Sequence, residues 1–169
     1  ENGGKSDAIN AGINLSKYPY FCTIDADSML EDTSLLRVMA PLLISNARIV
    51  AVGGNIRVGN GNEFMLGSLF QLKLSNQLLV ITQVVEYLRS FLMGRVALSR
   101  LNSVLILSGA FSVFKKEWVL KVGGYSTNML GEDLEIIVKL HRYFKDNKLD
   151  KQIEYIPDPV CWTEAPQTF

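Results

Sequence analysis

The spacing of hydrophobic and polar residues along the chain predicts alternating helices and strands. Ser6 or Asp7 is positioned to cap a first helix, which continues to Leu15 because its apolar residues recur at helical spacing. An apolar, β-prone run over residues 20–24 then predicts a strand. Together these two segments indicate the start of an α/β arrangement.

A second helix is predicted to begin at residues 32–33 and to be bent or ended by Pro41. A second strand is predicted over residues 47–58, with residues 53–54, both glycine, forming a bulge or a close approach. The order strand–helix–strand predicts that this strand pairs in parallel with the one at 20–24, through a right-handed crossover. The apolar positions assigned to the second helix are Leu35, Leu36, Met39, Leu42 and Leu43.

The second half of the chain continues the pattern. Short strands are predicted over residues 104–107 and 153–156, with a rigid turn at 157–159. One helix is predicted over residues 115–123, and a longer one opens at Gly131. The acidic residues in the first turn of that last helix suit the helix dipole.

The stretch from residue 64 to residue 101 is unusually apolar and compatible with helices throughout. Arg89, Arg95 and Arg100 are interspersed among its Leu, Phe, Met and Val residues. One interpretation places these helices along an anionic membrane surface. The other interpretation is ordinary core helices whose cationic side chains extend to water. Amphipathicity alone does not decide between them.

Composition narrows the range of functions. The chain has 169 residues with 17 basic and 17 acidic side chains, so no charge excess favours nucleic acid. It is 48% hydrophobic with a mean hydropathy of +0.16, which suggests that apolar surface meets a membrane or further protein. Cys22 and Cys161 lack the spacing of a disulfide framework or a zinc site. No signal peptide or transmembrane helix is evident, and both ends resemble cuts in a longer protein.

The most informative chemistry lies where the strand at residues 20–24 ends. Asp25 and Asp27 follow it directly, and residues two apart on an extended segment point to the same side. Ligands of open α/β sheets bind at such carboxyl ends of strands. Two carboxylates there suit Mg²⁺ or Mn²⁺ together with a phosphate-bearing substrate. The alternative is a strand-ending loop in which both side chains only cap turns and the next helix.

Three further segments carry candidate groups. Lys5 follows two glycines and offers a point charge for phosphate. Glu132 and Asp133 open the last long helix, where they act as caps or as an acid/base pair. His141 is interpreted as a partly buried helix residue, because no second ligand stands at metal spacing from it.

These segments, in this order, resemble family 2 glycosyltransferases. The resemblance is to the membrane-bound, processive branch that includes poly-N-acetylglucosamine, hyaluronan and cellulose synthases, and it covers nearly the whole chain. It implies an incomplete nucleotide-diphospho-sugar transferase (GT-A-like) domain, a single partial domain over residues 1–169 with a mixed sheet flanked by helices. The motifs that carry the resemblance are residues 2–12, 25–28, 108–111, 131–135 and 163–166.

On the donor side, the resemblance implies that Lys5 and Asp7 lie near a nucleotide-sugar. It also implies that Asp25 and Asp27 form the Asp-x-Asp pair, with Asp27 most directly on the metal and the diphosphate. The expected cofactor is Mg²⁺ or Mn²⁺. The expected donor is a UDP-sugar, with UDP-N-acetylglucosamine as the first choice.

On the acceptor side, the resemblance implies that Gly109, Ala110 and Glu164 line the site. Asp133 is expected to be the general base on the acceptor hydroxyl, with Glu132 beside it. The implied reaction is direct displacement with inversion, in which a nucleoside diphosphate leaves and a growing polysaccharide or glycolipid is extended.

The resemblance also sets expectations for the whole protein. The family's first nucleotide-binding strands are expected before residue 1, and its Gln-x-x-Arg-Trp motif is expected after residue 169. The segment alone is therefore expected to be inactive, and its exposed sheet edge favours self-association. The full-length protein is expected at the cytoplasmic face of the cell membrane, with residues 64–101 near that surface.

Two other functions remain open at this point. Residues 24–28 also resemble the nucleophile loop of haloacid-dehalogenase-type phosphatases, in which Asp25 would form an aspartyl phosphate and Asp27 would act as acid/base. A non-catalytic scaffold on a membrane surface would use the same carboxylates only as caps.

Overall fold

The computed structural model describes residues 4–65, 68–127 and 131–166, and shows a central sheet with helices on both sides. The strands are β1 (Tyr20–Thr23), β2 (Met29–Leu30), β3 (Ile49–Val58), β4 (Glu63–Met65), β5 (Ser68–Gln71), β6 (Ser112–Lys115) and β7 (Gln152–Thr163). The helices are α1 (Gly4–Leu15), α2 (Ser34–Ile44), α3 (Leu78–Tyr87), α4 (Val96–Arg100), α5 (Lys116–Lys121) and α6 (Glu132–Asp146).

The central sheet is mixed, with the strand order β1–β6–β3–β7–β2. β6 lies antiparallel between β1 and β3, and β7 runs parallel to β3. The predicted pairing of the strand at residues 20–24 with the strand at 47–58 is therefore wrong, although the two strands point the same way. A local strand–helix–strand pattern does not reveal a strand that arrives much later in the chain and enters between them.

The predicted glycine approach on β3 is confirmed. A Cβ atom built on Gly53 would lie 2.7 Å from Leu107 Cδ2, and one built on Gly54 would lie 2.2 Å from Phe111 Cδ1. Side chains from the segment before β6 therefore pack directly on the β3 backbone. These contacts with Leu107 and Phe111 hold the segment before β6 against the centre of the sheet.

The last strand is longer than predicted. β7 continues through the prolines at residues 157–159, and the register passes from Gly53 opposite Tyr155 to Asn55 opposite Val160. The predicted turn is thus a bulge within one strand, because proline has no N–H to donate to the ladder. By contrast, the predicted strand at residues 104–107 does not form; Val104 and Leu107 are buried in an irregular segment.

The buried face of α2 differs from the predicted one. Ser34, Val38 and Leu42 are buried, whereas Leu36 and Leu43 are 74% and 65% exposed. Ser34 accounts for the difference, because its hydroxyl donates to Val160 O and accepts from Val160 N. This pair of hydrogen bonds turns the polar start of the helix toward β7, so Leu36 and Leu43 face outward.

The stretch from residue 64 to residue 101 is only partly helical. β4 and β5 form an antiparallel pair in place of the predicted helix. α3 then leads into a π-helical segment (Leu88–Arg95) and α4. Among the residues that the structure describes, no helix is both long and apolar enough to cross a membrane. Arg95 turns inward and lies over the Phe91 ring, so it is not one of the outward-facing cations of this stretch.

Candidate active site

The Asp-x-Asp pair lies just beyond the end of β1, as predicted. β1 stops at Thr23, and a turn follows in which Ser28 N donates to Asp25 O at 3.1 Å. Asp is disfavoured within a strand, which accounts for this end point. Asp25 is half-buried and Asp27 is exposed. Both carboxylates therefore stand beyond the carboxyl end of β1, an edge strand of the central sheet.

Lys5, in the first turn of α1, links this pair to the start of α6. Its Nζ donates to Asp25 Oδ1 at 2.8 Å and lies 3.9 Å from Glu132 Oε1. Two acidic groups that are far apart in the sequence thus share one cation. This bond gives Lys5 a role at the site. The alternative interpretation, in which the carboxylates only cap turns and helices, gives Lys5 no role.

Asp133 is directed into the same place by two glycines. Gly131 adopts a φ of +92°, a left-handed conformation that favours glycine, and its carbonyl accepts the first backbone hydrogen bonds of α6. Gly109 N donates to Asp133 Oδ2 at 2.8 Å. Because one carboxylate oxygen is held by this N–H, the orientation of Asp133 is fixed by the loop before β6.

The electrostatics of the site favour a proton acceptor at Asp133. Burial raises the pKa of the Asp133 carboxyl; the Gly109 N–H and Lys5 oppose that rise, while Glu132 and Asp25 add to it. Partial burial lowers the pKa of Lys5, but the hydrogen bond to Asp25 and the charges of the three carboxylates raise it overall. The site therefore combines a carboxylate of increased basicity with a firmly protonated lysine.

Asp27 faces an adjoining pocket. Asp27 and Glu164 line the same pocket of about 410 Å³, together with Trp162 and Gly59. The ring of Trp162 is held by its Nε1, which donates to Glu31 Oε1 at 3.1 Å. The structure therefore brings Asp27 together with Glu164, and Asp25 together with Glu132 and Asp133.

The remaining predicted residues lie as follows. Asp7 is exposed in the first turn of α1 and is not one of the Lys5 contacts described above. Ala110 is buried in the core cluster on the α2 side of the sheet, with Gly109 next to it at the site. Residues 2 and 3 of the predicted glycine loop lie outside the described residues.

Two tyrosines near the site were not singled out from the sequence. Burial raises the pKa of Tyr125, and the charges of Asp133 and Glu132 raise it further. Asn10 holds the backbone of Tyr125 through both a donated and an accepted hydrogen bond. Burial also raises the pKa of Tyr87, with contributions from Glu86 and Asp27. Aromatic residues in an apolar stretch are usually core residues, so the sequence carried no signal for their proximity to the carboxylates.

Solved structures with the same fold are glycosyltransferases. A mannosyltransferase from Pyrobaculum calidifontis, in complex with GDP-Man and Mn²⁺, matches with a TM-score of 0.64 at 19% identity, over 99% of this chain and 38% of that one. GalNAc-T7, solved with UDP, GalNAc and Mn²⁺, matches with a TM-score of 0.61 at 13% identity, over 98% and 31%. The fold is thus that of part of a GT-A glycosyltransferase domain.

The sequence comparisons identify the family. The family model described as "Glycosyltransferase like family 2" matches residues 1–169, and the chain belongs to this family. Curated relatives are poly-beta-1,6-N-acetyl-D-glucosamine synthases. The one from Staphylococcus epidermidis is 29% identical over 168 residues, and the one from Staphylococcus aureus is 32% identical over 172. The chain spans 36% of the length of these two relatives. The predicted resemblance is confirmed, and it excludes the phosphatase interpretation.

Proposed function

We propose that the full-length protein is an inverting glycosyltransferase that extends a polysaccharide or glycolipid from a UDP-sugar, with UDP-N-acetylglucosamine as the preferred donor. The observation that carries the proposal is the contact of Lys5 with both Asp25 and Glu132, beside Asp133. Family membership supports the reaction class, and the two staphylococcal relatives support the sugar. The non-catalytic scaffold gives no reason for Lys5 to join the two acidic segments.

The proposed mechanism assigns proton transfer to Asp133. The Gly109 N–H holds Asp133 Oδ2, which leaves Oδ1 to accept the proton of the acceptor hydroxyl. The deprotonated oxygen attacks the anomeric carbon of the donor, the bond to the nucleoside diphosphate breaks, and the configuration inverts. Lys5 stabilises the negative charge that develops on the leaving diphosphate, with Glu132 maintaining its position. Asp7 lies two residues away in the first turn of α1, on the donor side.

The residues at the end of β1 fit a divalent cation. Asp25 and Asp27 would hold it, since Mg²⁺ and Mn²⁺ are bound through one or two carboxylates together with substrate phosphates. No group of three or more His, Cys, Asp or Glu side chains among residues 4–65, 68–127 and 131–166 is arranged to hold a metal ion. When bound, such a cation supplies positive charge to the departing diphosphate. Both structural neighbours were solved with Mn²⁺.

The acceptor is proposed to approach from the side of Gly109 and Ala110, next to the pocket that contains Glu164. The protein is proposed to work at the cytoplasmic face of the cell membrane, with residues 64–101 against the lipid surface. Exposed apolar side chains in that range support this placement, at 64–76% exposure: Phe70, Leu72, Leu74, Leu78, Met93 and Leu101. The free edge of β1 provides a route for the segment to self-associate.

The direct test is donor consumption by the full-length protein in membranes. UDP-sugars are supplied one at a time with Mg²⁺ or Mn²⁺, and nucleoside diphosphate release is measured. The proposal predicts release with a UDP-hexosamine, loss of release in chelator, and a polymer or glycolipid product. Nucleoside diphosphate release that is unaffected by chelator would contradict the proposed role of the metal. The absence of release with any UDP-sugar would contradict the proposal that the donor is a UDP-sugar.

Substitution of Gly109 by alanine is expected to lower kcat/KM for sugar transfer by about 100-fold, because a small displacement of a reacting group greatly slows the reaction. A Cβ atom at this position would lie 2.7 Å from Lys5 Nζ and 2.9 Å from both oxygens of Asp133. The measurement is kcat/KM, with circular dichroism as the check on folding. Gly12→Ala is the matched control, since a Cβ there meets nothing within 4 Å, and its activity is expected to be unchanged. Full activity of Gly109→Ala would show that this contact is unimportant.

The pH dependence of kcat/KM is expected to have an acid limb set by Asp133. Its pKa is raised above 3.8, so activity is present above that raised value and is lost as the pH falls through it. Glu132→Gln removes a charge that raises this pKa and moves the limb to lower pH. Lys5→Gln removes a charge that lowers it and moves the limb to higher pH. Glu117→Gln, which changes an exposed side chain on α5, is the control without a shift. Shifts of the first two variants in the same direction would contradict the assignment.

A further inference from the structure

The buried residue Tyr155 interacts with three polar side chains, those of Asn55, Arg95 and Arg57. Tyr155 is 2% exposed, and its hydroxyl donates to Asn55 Oδ1 at 3.4 Å. The Arg95 guanidinium lies 5.8 Å from the centre of the Tyr155 ring. Burial raises the pKa of Tyr155, and the positive charges of Arg95 and Arg57 oppose that rise. Two guanidinium groups and one amide therefore cluster around a single buried residue.

Each of these three side chains has a buried donor without an acceptor. The donors are Asn55 Nδ2, Arg57 Nε and Arg95 Nη1, and Asn55 is only 1% exposed. Among the described residues, no carboxylate forms an ion pair with Arg57 or Arg95. Buried donors and cations are costly unless an acceptor or a counter-charge meets them. The cluster therefore lacks acceptors, and an oxyanion supplies both acceptors and negative charge.

A cleft of about 350 Å³ opens onto Arg57. Arg57 lines this cleft and lies over the Trp162 ring, 5.9 Å from its centre. Lys73 also lines the cleft but already pairs with Glu63, so Arg57 supplies the available charge. The apolar residues that line the cleft include Leu72, Leu74, Val84 and Leu88, of which Leu72 and Leu74 are more than two-thirds exposed at 70% and 73%. The cleft thus combines apolar walls with one cationic side chain that has no described carboxylate partner.

We propose that this cleft binds an anionic amphiphile, namely a phosphate monoester carried on an alkyl chain. The phosphate accepts from Arg57, which lines the cleft and has no carboxylate partner among the described residues. The alkyl chain lies along the leucines, which otherwise face water. A free sugar would leave these apolar walls uncovered, and a neutral alcohol would leave the arginines without a counter-charge. The inference rests on Arg57 and the apolar walls of the cleft, and does not depend on the transfer chemistry.

The test measures binding of radiolabelled dodecyl phosphate to the full-length protein held in an amphipathic polymer, with dodecanol and inorganic phosphate as the two partial ligands. Dodecyl phosphate is expected to bind about tenfold or more tightly than either, as hydrogen bonds to charged groups and chain burial combine. Arg57→Gln is expected to weaken its binding by about tenfold. Lys73→Gln, the matched control, is expected to remain within about twofold because its charge is already paired.

A second variant keeps the test independent of any effect on folding. Leu74→Ser changes an exposed side chain and is expected to weaken dodecyl phosphate binding while leaving binding of inorganic phosphate unchanged. If dodecanol bound as tightly as dodecyl phosphate, the phosphate would contribute nothing and the cleft would be only an apolar groove. If inorganic phosphate bound as tightly as dodecyl phosphate, the alkyl chain would contribute nothing. Absence of binding by all three ligands would show that the cleft is not a binding site for an anionic amphiphile. Each of these results overturns the proposal.

Discussion

Asp133→Asn is expected to reduce sugar transfer by the full-length protein by about 10³- to 10⁴-fold, the upper part of the range for a positioned general base. Asn keeps the size of the side chain and an oxygen that can accept from the Gly109 N–H, so the loop geometry is preserved. It is not able to take a proton from the acceptor hydroxyl. Binding of the donor is expected to change little, because the loss concerns the chemical step.

Two variants test the specificity of this effect. Asp146→Asn changes an exposed carboxylate in the last turn of the same helix and is expected to keep full activity. Glu132→Gln is expected to have a smaller effect than Asp133→Asn, since Glu132 lies 3.9 Å from Lys5 and Asp133 is the residue held by the Gly109 N–H. Rates measured at saturating donor and acceptor separate chemistry from binding. Near-normal turnover of Asp133→Asn would assign the base to another residue.

Asp27→Asn is expected to lower transfer by about 10²- to 10³-fold, corresponding to the several kcal/mol that a cation contributes to a charged transition state. It is also expected to weaken Mn²⁺-dependent binding of UDP by about tenfold or more, because one of two proposed protein ligands is lost. The side chain is exposed, so folding is expected to be unaffected. The measurements are kcat/KM and calorimetric titration with UDP in the presence and absence of Mn²⁺.

The control for Asp27 is Asp158→Asn, an exposed carboxylate within the bulge of β7. Its transfer rate and UDP affinity are expected to equal those of the unmodified protein. If Asp27→Asn retained the metal dependence of UDP binding, the cation would have to be held elsewhere. This outcome would not affect the proposed role of Asp133, so the metal site and the general base are tested separately.

The parts of the site that could be predicted from the sequence are those determined by neighbouring residues. The end of β1 shortly before Asp25 follows because aspartate is disfavoured in strands, and the start of α6 follows from a glycine before an acidic turn. The motif order then indicated the family, which the family model confirmed. The strand end and the helix start depend on residues that are adjacent in the sequence, which is why a local pattern was sufficient to locate them.

The parts that were not predictable depend on residues distant in the sequence. The entry of β6 between β1 and β3 is decided by tertiary pairing. Ser34 sets the buried face of α2 through its bonds to Val160, a contact between residues far apart along the chain. The inward turn of Arg95 onto Phe91 and Tyr155 is likewise invisible in an amphipathic pattern.

One measurement bears most directly on the shared site: the structure of the full-length protein with UDP-N-acetylglucosamine and Mn²⁺. The expected result places the diphosphate at Asp25 and Asp27, and the Asp133 carboxylate about 6 Å from the anomeric carbon, which leaves room for one acceptor hydroxyl between them. A donor bound away from the end of β1, or a sugar separated from Asp133 by packed protein, would contradict the account.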